Sequence, residues 1–307
     1  MTPSRTVAVT TSSFAEFSPE PLLLLRAAGL TPLLNPHGRA LTEEEAIALL
    51  QGCVAVAAGT EPLTARLMAA LPELKVISRC GAGLDNVDLA AAAARGIAVR
   101  STPDAPTRAV AELTLGLALD LLRRITLMDR DIRAGRWKKR MGALLQDAHV
   151  GIIGLGRIGR ASADLFHALG ARTAFFDPFP PADPAPHSFM PLPDLLAWAD
   201  LLSLHTPKQA DNTPVLDAAA IARIKPGACL INAARGGLAD EAALAEALRS
   251  GRLAGAALDV FSAEPYQGIL LQTPNTVLTP HVGSYARESR IRMETAAIRN
   301  LLEALCL

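Results

Sequence analysis

Hydrophobic and polar positions along the first hundred residues follow two rhythms. Short β-branched runs at 6–10, 54–57, 75–78 and 97–99 predict strands, while 21–28, 42–50, 64–70 and 87–94 carry the three-to-four spacing of helices. Thr42 followed by Glu45 makes a capping box at the start of one helix. Strands and helices in alternation are what a parallel sheet with crossover helices requires, and this half reads as a flavodoxin-like unit. Pro103 and Pro106 then interrupt the chain, and 107–125 follows as a long apolar helix suited to crossing into another domain. From Val150 the alternation restarts, with strands predicted at 149–153, 172–176, 200–204, 228–232 and 254–258 and helices at 157–169 and 240–249. The proline-rich stretch 177–191 predicts an extended surface loop. After the break at Thr279-Pro280-His281, 285–305 is again helical and can return to the first domain, which puts residue 281 at a hinge. The expected class is α/β, with two doubly wound parallel-sheet domains, one flavodoxin-like and one a Rossmann nucleotide-binding domain.

Length agrees, since 307 residues are enough for two separate cores. Half of the residues are hydrophobic, which argues against disorder. Thirty basic residues balance thirty acidic ones, so no net field favours nucleic acid or an anionic membrane, and a small-molecule partner is expected. The opening MTPSRTVAVTT lacks the apolar core of a secretory signal, and no apolar run approaches membrane-spanning length. Cys53, Cys80, Cys229 and Cys306 are scattered singly, and His37, His149, His167, His187 and His205 show no ligand spacing; no metal is expected, and a reduced cytoplasm fits. The basic residues around Trp137, between Arg130 and Arg140, are interspersed with Asp129 and Asp131 and read as a solvated or subunit-facing loop rather than a nucleic-acid patch.

The most informative motif is the strand His149-Val150-Gly151-Ile152-Ile153 running into Gly154-Leu155-Gly156-Arg157-Ile158-Gly159 at the head of a helix. Gly154 allows the tight turn, Gly156 lets a pyrophosphate approach the backbone, and Gly159 lets the helix sit close on the strand. The next strand ends in Asp177, 23 residues beyond Gly154, where a carboxylate can accept hydrogen bonds from ribose hydroxyls and repel a 2′-phosphate. No basic residue follows it, so NAD is expected rather than NADP. Three later segments, 232–237, 259–265 and 279–284, place polar residues at or beyond strand ends, the ligand edge of an open α/β sheet. Arg235 is suited to grip a carboxylate. His281 with Glu264 forms a candidate acid–base pair, the carboxylate fixing the tautomer and favouring the protonated ring. Singly, each has a plain alternative: a structural salt bridge for Arg235, a surface turn before Pro265 for Glu264, a cap or hinge for His281.

The succession GLGRIG, INAARGG, DVFSAEP and TPHVGS resembles the D-2-hydroxyacid dehydrogenase family, in particular its phosphoglycerate-dehydrogenase-like members, and the likeness covers nearly the whole chain. The resemblance implies an NAD-dependent enzyme moving a hydride between nicotinamide and a small 2-hydroxy or 2-keto acid, of phosphoglycerate or glyoxylate/hydroxypyruvate type. It implies Arg235, Glu264 and His281 as the catalytic set, with Arg235 and His281 touching substrate. Ala233 and Asp259 would lie near the nicotinamide, Thr206 and Pro207 at the adenine end, Arg157 and Ile158 beside the pyrophosphate, and Thr107 near the cofactor. The stretch 74–88 resembles the substrate loop, with the backbone N–H groups of Ala82 and Gly83 receiving the carboxylate. It further implies a homodimer and a discontinuous substrate domain, residues 1–100 plus 282–307, with the NAD-binding domain at 101–281. Departures are Ser101 and Pro106, where members often carry Asn, or Asn or Ser. Ala57 and Ala58 stand where phosphoglycerate-handling members commonly have a basic residue, which argues against a phosphorylated substrate. No regulatory extension is expected after Leu307, and Glu264 rather than Gln argues against the formate-oxidising branch. The rival expectation is a non-enzymatic, corepressor-like NAD(H) sensor.

Overall fold

The computed structural model describes residues 5–209 and 211–307. The chain forms two compact units: residues up to Pro106 together with Ser284–Leu307, and Thr107–Gly283. The changeovers fall after Pro106 and Gly283, where the sequence pattern suggests 100 and 281.

In the first unit β1 (Thr6–Val9), β2 (Thr31–Leu34), β3 (Cys53–Ala58), β4 (Val76–Arg79) and β5 (Ala98–Arg100) form one parallel sheet in the order β2-β1-β3-β4-β5. That is the flavodoxin-like order, and its direction reverses between β1 and β3. All six residues of β3 are buried because helices cover both faces. Ala8, Val56 and Ile77 face one layer with Leu50, Leu67 and Met68, and Val7, Val9 and Val76 face the other with Leu25, Ile298 and Leu301. The helix Arg287–Ala304 belongs to this second layer, and the Ser78 hydroxyl donates to its Ala297 carbonyl at 2.7 Å. The predicted capping box is present in both halves, Thr42 N–H to Glu45 at 2.9 Å and Glu45 N–H to Thr42 Oγ1 at 3.3 Å. The strand β2 has no counterpart in the sequence prediction: it is a mostly exposed edge strand, which is why it tolerates Pro32 and carries no apolar alternation.

The second unit is a seven-stranded parallel sheet of β6 (His149–Ile153), β7 (Arg172–Phe176), β8 (Ser188–Phe189), β9 (Leu201–Leu204), β10 (Cys229–Asn232), β11 (Gly255–Leu258) and β12 (Thr276–Leu278). Its order, β12-β11-β10-β9-β6-β7-β8, reverses between β6 and β9, the Rossmann arrangement. The long apolar helix expected at 107–125 ends at Arg123: Arg124 takes a left-handed φ of 55°, and a second helix, Ile125–Arg133, starts there. Asp120 stabilises this break by accepting the Thr126 N–H at 2.7 Å. The stretch around Trp137 is accordingly not all loop. Its first residues are helical, and Asp131, buried, accepts from Arg136 at 2.8 Å and Arg140 at 2.8 Å.

Candidate functional site

In the second unit β6 runs into Gly154, whose φ of 95° makes the turn and whose missing side chain is essential: a Cβ would stand 2.6 Å from the His205 carbonyl oxygen. The helix Arg157–Ala168 starts with Gly156 as a cap without a side chain, so no side-chain cap occupies its first N–H groups, and the space over Gly156 is open. A Cβ on Gly159 would meet the Gly154 carbonyl oxygen at 1.9 Å. Asp177, one residue past β7, is fixed beside this turn by accepting Leu155 N–H at 2.8 Å and Phe179 N–H at 2.9 Å. Open space, helix N-terminus and acidic strand end together fit a dinucleotide. Arg157 and Ile158 lie in the first turn of the helix, Thr206 and Pro207 just past β9, and Thr107 opens the helix Thr107–Arg123 that packs on Arg157–Ala168.

His205 has a more specific place than the sequence suggests. Its backbone carbonyl supports Gly154, its Nε2 pairs with Ser203 Oγ at 2.8 Å, and its buried Nδ1 has no partner among the described residues. Burial pushes its pKa down to about 4, so the ring is neutral under the glycine turn at ordinary pH.

The segments following β10, β11 and β12 interlock. Asn232 folds the first into a turn, accepting Ala234 N–H at 3.1 Å and donating to the Arg235 carbonyl at 2.8 Å. Ala233 is buried within it, and half-buried Arg235 donates to the Ala234 carbonyl at 2.7 Å. Gly236 lies so close to the second segment that a Cβ would fall 1.7 Å from the Phe261 carbonyl oxygen. The Phe261 N–H in turn fixes Glu264 Oε1 at 3.0 Å, and Glu264 Oε2 lies 2.8 Å from His281 Nδ1. Burial pushes the Glu264 carboxyl up, but the hydrogen bond and charge of His281 outweigh it and hold the group below its ordinary value. Asp259, fully buried, grips the third segment, accepting from Thr279 Oγ1 at 2.6 Å, Val282 N–H at 2.8 Å and Gly283 N–H at 2.8 Å. His281 is held between these anchors, Nδ1 engaged and Nε2 available for proton exchange.

Arg235, Glu264 and His281 are thereby brought into one web, with Asn232, Asp259 and Thr279 as the groups that shape it. Only Asp259 of these three is legible as a candidate from sequence; the signal for Asn232 and Thr279 is their position at a strand end before a turn. Ala82 and Gly83 lie in the first unit in the loop after β4, where Gly81 N–H donates to Thr102 Oγ1 at 2.9 Å. Among the described residues no group of three or more His, Cys, Asp or Glu side chains is placed to hold a metal ion, and no helix is long and apolar enough to cross a membrane.

Residues 115–283 match the family described as D-isomer specific 2-hydroxyacid dehydrogenase, NAD binding domain. The D-3-phosphoglycerate dehydrogenase of Mycobacterium leprae is 41% identical over 247 residues, 78% of this chain and 47% of that protein. The chain therefore spans about half the length of the curated relatives it matches. Among solved structures, the TT0316 protein of Thermus thermophilus superposes with a TM-score of 0.90 at 39% identity, covering 98% of this chain and 96% of that one. A glyoxylate reductase from Paecilomyes thermophila gives 0.87 at 30% identity, with 99% and 96% covered.

Proposed function

This chain belongs to the D-isomer specific 2-hydroxyacid dehydrogenase family, and from that premise we propose that it transfers a hydride reversibly between NAD and a small 2-hydroxy or 2-keto acid. The first unit is the substrate domain and the second the nucleotide domain. Gly154, Gly156, Arg157, Ile158 and Gly159 take the pyrophosphate, Asp177 the adenosine ribose, Thr206 and Pro207 the adenine end, and Ala233, Asp259 and Thr107 line the nicotinamide side. Nicotinamide, when bound, supplies or accepts the hydride at its C4. Arg235 holds the substrate carboxylate in a two-bonded grip, helped by the backbone N–H groups of Ala82 and Gly83. His281 Nε2 takes the hydroxyl proton in oxidation and returns it to the carbonyl oxygen in reduction, while Glu264 holds the ring by Nδ1 and compensates its charge.

The observation that carries this reading is the 2.8 Å contact between His281 and Glu264, which commits one ring nitrogen and leaves the other for substrate. Asp177 at the ribose position, with Pro178 and Phe179 after it, supports NAD over NADP. Nothing in the described residues favours an NAD(H) sensor without catalysis. A homodimer and a cytoplasmic location belong to the same proposal. The first is supported by exposed Trp137, Met141 and Leu144 in the second unit, the second by four free cysteines.

The test is NADH consumption against glyoxylate, hydroxypyruvate, pyruvate, a branched-chain keto acid and phosphohydroxypyruvate, with NADPH in parallel. His281→Ala is expected to lose about 10²–10⁴-fold in turnover with NADH binding retained. Unchanged turnover in that variant, or NADH binding with no turnover of any keto acid by the parent protein, rejects the proposal.

A further inference from the structure

Beyond β3, whose last residues Ala57 and Ala58 stand where phosphoglycerate-handling members were expected to present a base, the chain turns through Gly59, Thr60 and Glu61. Glu61 is only 1% exposed. Its Oε1 accepts the Thr10 hydroxyl and, at 3.2 Å, the Gly59 N–H, while Oε2 is buried with no hydrogen-bond partner among the described residues. The turn is tight around it: a Cβ at position 59 would stand 2.9 Å from Oε2 and 3.3 Å from the Thr11 Cα. Thr10 and Gly59 follow β1 and β3, the two neighbours between which the strand order reverses, and that crevice is where open α/β sheets take their ligands.

Asn86 ties this turn to the loop after β4. Its amide donates to the carbonyl oxygens of Glu61 at 2.7 Å and Gly59 at 3.4 Å, and its own oxygen accepts Arg79 Nε at 3.3 Å. The bracketed loop, 80–85, holds Ala82 and Gly83. Arg79 and Arg290 are the two arginines of this unit that are not exposed, among the described residues. Arg290 is paired with buried Glu294 at 2.7 Å, and Glu294 also accepts the Ala15 N–H at 2.8 Å from the segment after β1. The Cys80 thiol lies among both arginines and both glutamates, and burial pushes it up to about 12. Each sheltered cation therefore has a carboxylate close by. Burial also raises the Glu61 carboxyl, against the Thr10 hydrogen bond. Ionised, as the hydrogen bonds from Thr10 and Gly59 to Oε1 favour, it repels a second anion brought into this crevice.

We propose that Glu61 is a specificity-determining residue, and that with the Arg290–Glu294 pair it restricts the substrate to 2-keto acids whose only charge is the carboxylate, rejecting those with an added phosphate. This rests on the hydride-transfer reading and names its substrate class. The test compares kcat/KM for hydroxypyruvate and phosphohydroxypyruvate, with NADH, in the whole chain. The parent protein is expected to favour hydroxypyruvate by about 100-fold, and Glu61→Gln, which keeps the shape and removes the charge, to narrow that ratio about tenfold. A purely structural role would lower both substrates together, so an unchanged ratio in a folded variant overturns the assignment. Equal or better use of phosphohydroxypyruvate by the parent protein overturns it too, without need of the variant, and leaves hydride transfer standing. Turnover of neither compound, nor of any other keto acid, instead rejects hydride transfer itself and the specificity with it.

Discussion

His281 stands at φ 56°, a left-handed conformation that costs an L-residue about 1–2 kcal/mol, and the surroundings show what sustains it. Asp259 grips Thr279 on one side and Val282 and Gly283 on the other, and Glu264 holds the ring. The strain sets the direction of the imidazole. His205 presents the complementary case, a histidine kept neutral by burial. Its pKa is about 4 in the folded chain against about 6.5 when unfolded, so on acidification the unfolded chain takes the proton first. The stability it contributes is complete above pH 6.5 and is lost as pH falls through 4, on the order of 3 kcal/mol over the interval. Urea midpoints at pH 7 and pH 5 are expected to differ less in His205→Gln than in the parent protein. Equal pH dependence in both would show that this ring does not titrate with unfolding.

At the level of elements, turns rather than strands carry the chemistry. Gly236→Ala is expected to cost at least about 100-fold in kcat/KM, because the added Cβ must push the Arg235 turn off the Phe261 backbone that anchors Glu264. NADH binding, which the turn at Gly154 carries at the pyrophosphate while Ala233 touches only the nicotinamide side, is expected to weaken far less than turnover; fluorescence titration with NADH beside the turnover assay separates the two. Loss of both together would mean that the segments after β6 and β10 do not behave as separate parts. Most strands were legible to within a residue or two, since a buried parallel strand such as β10 is a continuous apolar run bounded by polar turns. The edge strands β2, β8 and β12 and the helix break at Arg124 were not, because the strands depend on a neighbour's open edge and the break on an Asp120 contact; β8 lies inside the stretch 177–191 that the sequence predicts as loop. The glycine turn and Asp177 were legible because their spacing is local. The work of His205 and Glu61 was hidden, because each acts on a segment far away in sequence, His205 on Gly154 and Glu61 on Thr10.

For the molecule as a whole, a net charge of zero supplies no long-range repulsion between copies, so exposed apolar surface matters more. In the second unit Trp137 is 85% exposed, Met141 91% and Leu144 64%. They do not hang on a limp loop: the buried Asp131 carboxylate takes Arg136 and Arg140 from either side of Trp137, which fixes the segment that presents these side chains. Arg136 and Arg140 also hold that carboxyl below its ordinary value, so the clamp persists into mildly acidic solution. A rigid apolar projection loses little conformational entropy on docking, and a second copy of the chain is the occupant consistent with the proposed homodimer. Sedimentation at micromolar concentration is expected to give twice the chain mass for the parent protein and the single-chain mass for the double variant Trp137→Ser with Met141→Ser. A parent protein that sediments as a single chain at every concentration rules the dimer out. A double variant that stays dimeric places the interface elsewhere on the chain.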